Sequence, residues 1–193
     1  MAFALQVIQS RPAVSPALSV ERASPRSVRI SVTDRCDMAC VYCRPSLRDG
    51  YIPAEDRLDP AHWETLVRGL MREGVRRVRI TGGEPLLFKG LVEVIERLRG
   101  LGLEDLALTT NASRLARLAR PLRDAGLQRI TVSVDSLDPE RFMRITRGGD
   151  LNAVLDGVHA ARDAGFDEIK TNTVVLRDEN DDELPAIVRW AWG

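Results

Sequence analysis

From Val28 onward the sequence alternates short β-rich runs with longer stretches of helical period, and this alternation constrains the fold more than any other feature. Five runs read as strands: VRISVT (28–33), VRRVRIT (75–81), DLALTT (105–110), RITVSV (129–134) and EIKTNTVVL (168–176). A helical stretch follows each. Asp59-Pro60 supplies an N-cap and a first-turn proline, and Leu66, Leu70 and Met71 then repeat until Gly74 stops the helix. Leu91, Val94, Ile95 and Leu98 predict a second helix ending at Gly100, and Leu115, Leu118 and Leu122 a third ending in DAG at 124–126. Val154, Leu155, Val158 and Ala161 predict another, ending in DAG at 163–165, and a last helix begins near Asp181. The repeated DAG reflects either internal similarity or shared turn chemistry, with glycine as the left-handed helix stop. Units of this kind build a parallel sheet. They average about 33 residues, and a closed eight-unit barrel takes about 250, so this chain of 193 residues predicts an open or incomplete barrel. In such sheets the carboxyl ends of the strands carry the site.

Composition adds boundaries. The 28 basic and 28 acidic residues balance to a net charge of zero, so nothing global draws the chain to nucleic acid or to an anionic membrane. Any anion site must be local. No apolar run approaches the roughly 20 residues of a membrane span, and MAFALQVIQSRP lacks the basic start of a secretory signal, so the expectation is a cytoplasmic protein. Residues 1–27 read as a flexible arm, although their Ser, Ala and Arg content also suits an organelle-targeting peptide, and residues 28–193 read as one core.

Cys36, Cys40 and Cys43 follow the first strand at the spacing C-x3-C-x2-C, and the chain holds no other cysteine. An odd number crowded onto one loop is no disulfide framework and fits a reducing compartment. As thiolates they suit a soft metal, zinc or an iron–sulfur cluster. Structural zinc takes four ligands, and the two histidines, His62 and His159, lie on helical stretches away from the loop. A four-iron cluster on three cysteines leaves one iron without a protein ligand, which accounts for the odd count and opens a coordination site. Three buried, inert cysteines are the structural alternative, and the polar neighbours Thr33, Asp34, Arg35 and Asp37 speak against it.

With Tyr42 just before the last cysteine, the motif resembles that of the radical S-adenosylmethionine (SAM) superfamily. TGGEP (81–85), closing the second strand, resembles the superfamily's glycine-rich motif for the methionyl end of SAM. Backbone without side chains lets amino and carboxylate groups approach closely, and Glu84 offers a carboxylate to the ammonium. VRISVTDRC, VRITGGEPLL, LTTNA, VSVDSLD and IKTNTVVLRDEN together resemble the GTP 3′,8-cyclase family of molybdenum cofactor (molybdopterin) biosynthesis over nearly all of residues 28–192. That resemblance implies an α/β fold, a partial (β/α) TIM-type barrel of the radical SAM kind with a parallel sheet. It also implies one [4Fe–4S] cluster on Cys36, Cys40 and Cys43, with SAM chelated through the free iron. One electron then cleaves SAM to methionine and a 5′-deoxyadenosyl radical, which takes hydrogen from C3′ of GTP before C3′ closes onto C8. The product is (8S)-3′,8-cyclo-7,8-dihydroguanosine 5′-triphosphate.

Matched position by position, Tyr42, Gly83 and Ser133 fall where the family contacts SAM, and Arg29, Arg79, Thr109 and Lys170 where it contacts GTP. A triphosphate needs convergent cations, and arginine binds it bidentately. Taken singly, Arg29 and Arg79 also read as surface arginines, whereas Lys170 interrupts an apolar strand in a chain that otherwise chooses arginine. Asn111 and Asp135 end their strands and are candidates to position ribose or loop backbone; Asn172 reads as a strand residue. DENDDE (178–183) reads as a solvated helix start. The resemblance further implies a one-electron donor and a downstream cyclic pyranopterin monophosphate synthase as partners, and leaves a homodimer open.

This sequence departs from the family in lacking the three further cysteines of a second cluster, the sixth strand and the glycine-rich tail, so the expectation is a C-terminally truncated core holding one cluster. Smaller departures are Asp37 for a frequent Asn, Arg44 for an apolar residue, and Ala112 where glycine usually follows TTN. Two alternatives share parts of the pattern: a peptide-modifying radical SAM enzyme, and a non-catalytic remnant serving in association.

Overall fold

The computed structural model describes residues 26–43, 50–53 and 56–193. Arg44 and nearly all of the expected N-terminal arm lie outside them. Five strands, β1 (Arg26–Ser31), β2 (Val75–Thr81), β3 (Asp105–Thr110), β4 (Arg129–Ser133) and β5 (Ile169–Asn172), form one sheet in the order β1-β2-β3-β4-β5. Every neighbouring pair is parallel. Helices occupy the crossovers: α1 (Pro60–Arg72), α2 (Leu91–Gly100), α3 (Leu115–Asp124), then α4 (Pro139–Thr146) and α5 (Leu151–Asp163), with α6 (Leu184–Trp192) after β5. Strand order follows chain order without a reversal, so successive right-handed crossovers fall on the same face of the sheet. This is the barrel pattern rather than the doubly wound one, and among the described residues the sheet stays open.

The register gives the sheet two unlike faces. Side chains alternate along each strand, so Ile30, Val78, Ile80, Leu106, Leu108, Ile130 and Val132 share one face. They are buried with Val67, Val94, Ile95, Leu98, Leu115, Leu122 and Val154 of the helices. Burying each large side chain stabilises the fold by about 1.5–3 kcal/mol. The other face carries Arg29, Ser31, Arg79, Thr81, Ala107, Thr109, Thr131, Ser133, Lys170 and Asn172.

Local chemistry accounts for most of the boundaries. Asp59 caps α1 by accepting from the His62 amide at 2.9 Å, with Pro60 in the first turn. Both DAG segments end in a left-handed glycine, Gly126 at φ 98° and Gly165 at φ 86°, so shared turn chemistry is enough to explain the repetition. Three expectations are corrected. β5 ends at Asn172 instead of 176, because Val174 N donates to the Asp135 carboxylate (2.9 Å) and Thr173 Oγ1 to Val134 O (2.7 Å), drawing the chain off the ladder. α4 is a helix that the sequence reading does not include, capped by Asp138 accepting from Arg141 N at 2.7 Å. α6 begins at Leu184, and the acidic run before it makes a 3-10 turn over Asp181–Glu183. Ala112, the position where the resemblance favours glycine, has φ 61° and is fully buried.

Candidate functional site

The cysteine loop leaves β1 while still paired to β2, with Val32 N donating to Thr81 O at 3.0 Å, and then crosses the carboxyl edge of the sheet. Its backbone is tied to the end of α4 by Ala39 N to Thr146 O (3.1 Å) and Val41 N to Ile145 O (3.0 Å). Asp37 accepts from Asn111 Nδ2 and Ser113 Oγ, each at 2.8 Å, beyond β3. Tyr42 donates its hydroxyl to Asp135 Oδ2 at 2.5 Å, beyond β4. The three cysteines are free thiols, Cys36 and Cys40 half-buried and Cys43 exposed, with Cys43 N turned back onto Cys40 O at 3.0 Å. Among the described residues no three His, Cys, Asp or Glu side chains already converge as a metal centre.

The donor set still discriminates between metals. His62 is engaged with Asp59 (2.8 Å) on α1, and His159 lies on α5 beside Trp190, so neither joins the loop as a fourth zinc ligand. Three thiols without an imidazole fit an iron–sulfur cluster. Burial pushes the Cys36 thiol up to about 11, helped by the charges of Glu84 and Asp37, and burial beside Asp135 also raises Cys40. The metal-free Cys36 and Cys40 thiols are therefore protonated at neutral pH, and a bound cation must displace those protons. Burial and the Asp135 carboxylate push the Tyr42 phenol far above its ordinary range, which keeps it a donor.

The glycine-rich turn after β2 packs against this loop. Gly83 N donates to Thr33 O (2.6 Å) and Glu84 N to Arg35 O (2.7 Å). A Cβ on Gly83 would stand 2.3 Å from Arg35 O, and one on Gly82 2.7 Å from Thr33 O. The side-chain-free turn is thus what lets the cysteine-loop backbone pack this closely. Glu84 sits beneath this turn. Its side chain is 1% exposed, and its oxygens accept from Thr110 Oγ1 (2.6 Å), Leu86 N (2.9 Å) and Asn111 N (2.7 Å). The carboxylate braces two strand-end loops. Burial pushes Glu84 up to about 7 against the pull of these three hydrogen bonds.

Arg29, Arg79, Thr109 and Lys170 all lie on the polar face of the sheet. Arg29 is in register with Arg79; Thr109 is in register with Thr131, and Thr131 with Lys170. Ser133, paired with Asn172, ends the same face at the carboxyl edge. Four interstrand spacings separate β1 from β5, about 19 Å along the sheet. Lys170 Nζ is 3.0 Å from Glu168 Oε1, which also approaches Arg129 at 3.7 Å. Asn111 and Asp135 both hold loops: Asn111 reaches Asp37, and Asp135 reaches Tyr42 and the Val174 amide. Sequence reasoning missed Ser113 and the α4 carbonyls, since main-chain acceptors leave no residue-type signal.

Comparison with known proteins follows the same lines. The profile of the Radical SAM superfamily matches residues 30–191. The GTP 3′,8-cyclase of Marinobacter nauticus is 46% identical over 164 residues, covering 85% of this chain and 49% of that protein. GTP 3′,8-cyclase 1 of Pseudomonas aeruginosa is 49% identical over 166 residues (85% and 50%), and the GTP 3′,8-cyclase of Brucella ovis 44% over 193 (96% and 56%). The chain thus spans about half the length of the curated relatives it matches. Among solved structures, Streptococcus suis SuiB bound to precursor peptide SuiA superposes with a TM-score of 0.70 at 19% identity, over 84% of this chain and 36% of that one. Native anSMEcpe with bound AdoMet gives 0.62 at 17%, over 87% and 48%. At these identities the two structures speak for the fold alone. Because the superfamily profile runs from the end of β1 through the cysteine loop and the four later strands, the chain belongs to the radical SAM superfamily.

Proposed function

We propose that this chain is the radical SAM core of a GTP 3′,8-cyclase, acting in the cytoplasm on GTP in molybdenum cofactor biosynthesis. The observation that carries the reading is 44–49% identity to proteins of that name across nearly the whole core. The polar face supports it, since a nucleoside triphosphate needs cations on a solvent-accessible wall, and Arg29, Arg79 and Lys170 share one such wall with Thr109. The superfamily employs a [4Fe–4S] cluster and SAM. Cys36, Cys40 and Cys43 would hold the cluster, which when bound supplies an iron free of protein ligands and the electron for SAM cleavage. With three cysteines in all, the chain holds one such cluster. Tyr42, the Gly83 backbone and Ser133 frame the carboxyl edge where SAM would lie. Glu84 serves that edge by bracing it. A one-electron donor and a downstream synthase that consumes the cyclised nucleotide complete the scheme, and a homodimer is compatible with it.

Two measurements test the reading. Anaerobic reconstitution should load about four irons and four sulfides per chain, and reduction with SAM should release 5′-deoxyadenosine. Alanine at any of the three cysteines should abolish both. Uptake of zinc, or of no metal, would overturn the enzyme reading in favour of a remnant. In a protein of the relatives' full length carrying this core, Lys170→Ala should weaken GTP binding about tenfold or more, the loss of one charge-assisted contact, while uncoupled SAM cleavage persists. Unchanged GTP affinity would remove Lys170 from the substrate wall.

A further inference from the structure

We propose that Asp135 is a positioning residue that gives the cysteine loop its shape before any metal is bound, acting through the hydroxyl of Tyr42. Asp135 is 3% exposed and fixed on every side. Its Oδ1 accepts from Val174 N at 2.9 Å, and its main-chain oxygen accepts from Asn180 Nδ2 at 2.6 Å. Asn180 is itself fully buried; it also donates to Val174 O (2.9 Å) and accepts from Leu176 N (2.7 Å). The chain after β5 therefore forms a saturated polar shelf. Within such a shelf a side chain has one arrangement that satisfies all its partners. Asp135 Oδ2 points out of it and receives Tyr42, a residue 93 positions earlier in the sequence.

The two partners are unequal, and this sets the direction of control. Tyr42 is 39% exposed on a loop, and Asp135 is locked in the scaffold, so the scaffold places the loop. Tyr42 stands between Cys40 and Cys43. The amides of Ala39 and Val41 are already held by α4 carbonyls, and the Cys43 amide is turned onto Cys40 O. Once the Tyr42 side chain is anchored as well, the directions of the flanking thiols follow from contacts with β4, β5 and α4. The bond is charge-assisted, about twice as strong as a neutral one. None of these contacts involves an iron atom or SAM.

The significance for cluster assembly rests on the reading of this loop as the cluster loop, so the test has a metal-free arm and a loaded arm. Tyr42→Phe is the informative variant, because the ring is kept and the site is partly exposed. In the metal-free protein, amide hydrogen exchange at Val41, Tyr42 and Cys43 should accelerate about tenfold or more, the loss of one charge-assisted hydrogen bond, while β4 and α5 exchange as before. Asp135→Asn keeps an acceptor for Val174 N and offers its amide N–H to the tyrosine oxygen, so it should fall between wild type and Tyr42→Phe. During anaerobic loading, Tyr42→Phe should take up iron more slowly and give a broadened electron paramagnetic resonance line in the reduced state. Loop exchange that is the same in Tyr42→Phe and wild type would overturn the proposal, whether or not wild type takes up its iron. A wild type that binds no iron would instead defeat the cluster reading, and the exchange rates would still decide the role of Asp135.

Discussion

Glu84 is the carboxylate whose chemistry departs furthest from its surface counterpart. Its carboxyl titrates near pH 7 in the fold against an ordinary value of 4.5, because burial outweighs three hydrogen bonds. Between those values the folded chain holds a proton that the unfolded chain has released, so stability declines as pH rises. The contribution is fully present below about pH 4.5 and lost once pH passes about 7, a change of roughly 3 kcal/mol. Denaturant unfolding of the metal-free protein at pH 5 and pH 8 should show this fall. Glu84→Gln should flatten it while costing about 1–3 kcal/mol at pH 5, since Gln cannot accept from all three donors. Equal slopes for the two proteins would refute the assignment. At this scale the sequence was only partly legible. GGEP marked the right turn, yet neither the inward carboxylate nor the backbone seated against Gly83 has a signature in residue type, because both depend on where β3 and the cysteine loop arrive.

At the level of elements, legibility tracked the length of the pattern. The three central strands were found with at most one residue of error, since each buries an apolar row; α1 carried signals at both ends, and α2 and α3 a glycine stop after the last turn. α4 escaped notice although Asp138-Pro139 repeats the start signal of Asp59-Pro60; eight residues give Phe142 and Ile145 too few turns to display a period. It is nevertheless the element whose last carbonyls hold the cysteine loop. The pair α3 and α5 depends on a small residue. A Cβ on Gly157 would lie 2.7 Å from Ala112 O and 2.9 Å from Leu115 Cβ, at the left-handed turn that opens α3. Gly157→Ala should therefore destabilise the fold by about 1–3 kcal/mol, although in an open helix the same change would stabilise. A gain in melting temperature would show that the two helices separate easily.

For the molecule as a whole, the decisive property is one sheet with an apolar face under helices and a polar face that, among the described residues, has none. The apolar face unites all five units, so damage at its centre should be felt globally. Leu108→Ala, at a fully buried site on β3, should lower stability by about 2–5 kcal/mol, with circular dichroism and tryptophan fluorescence reporting one common transition. Separate transitions would mean that the units fold independently. The barrel class was legible because strands and helices alternate; the sharing of one face by Arg29, Arg79, Thr109 and Lys170 was not, since register emerges only on pairing. The consecutive strand order also sets a timetable. During synthesis the three thiols leave the ribosome about a hundred residues ahead of Asp135 and the end of α4, an interval of roughly 5–20 s at ordinary elongation rates. Until then the nascent thiols lack the contacts from Asp135 and α4 and face any oxidant in the surroundings, so part of their safekeeping in that window falls to the cell rather than to the fold.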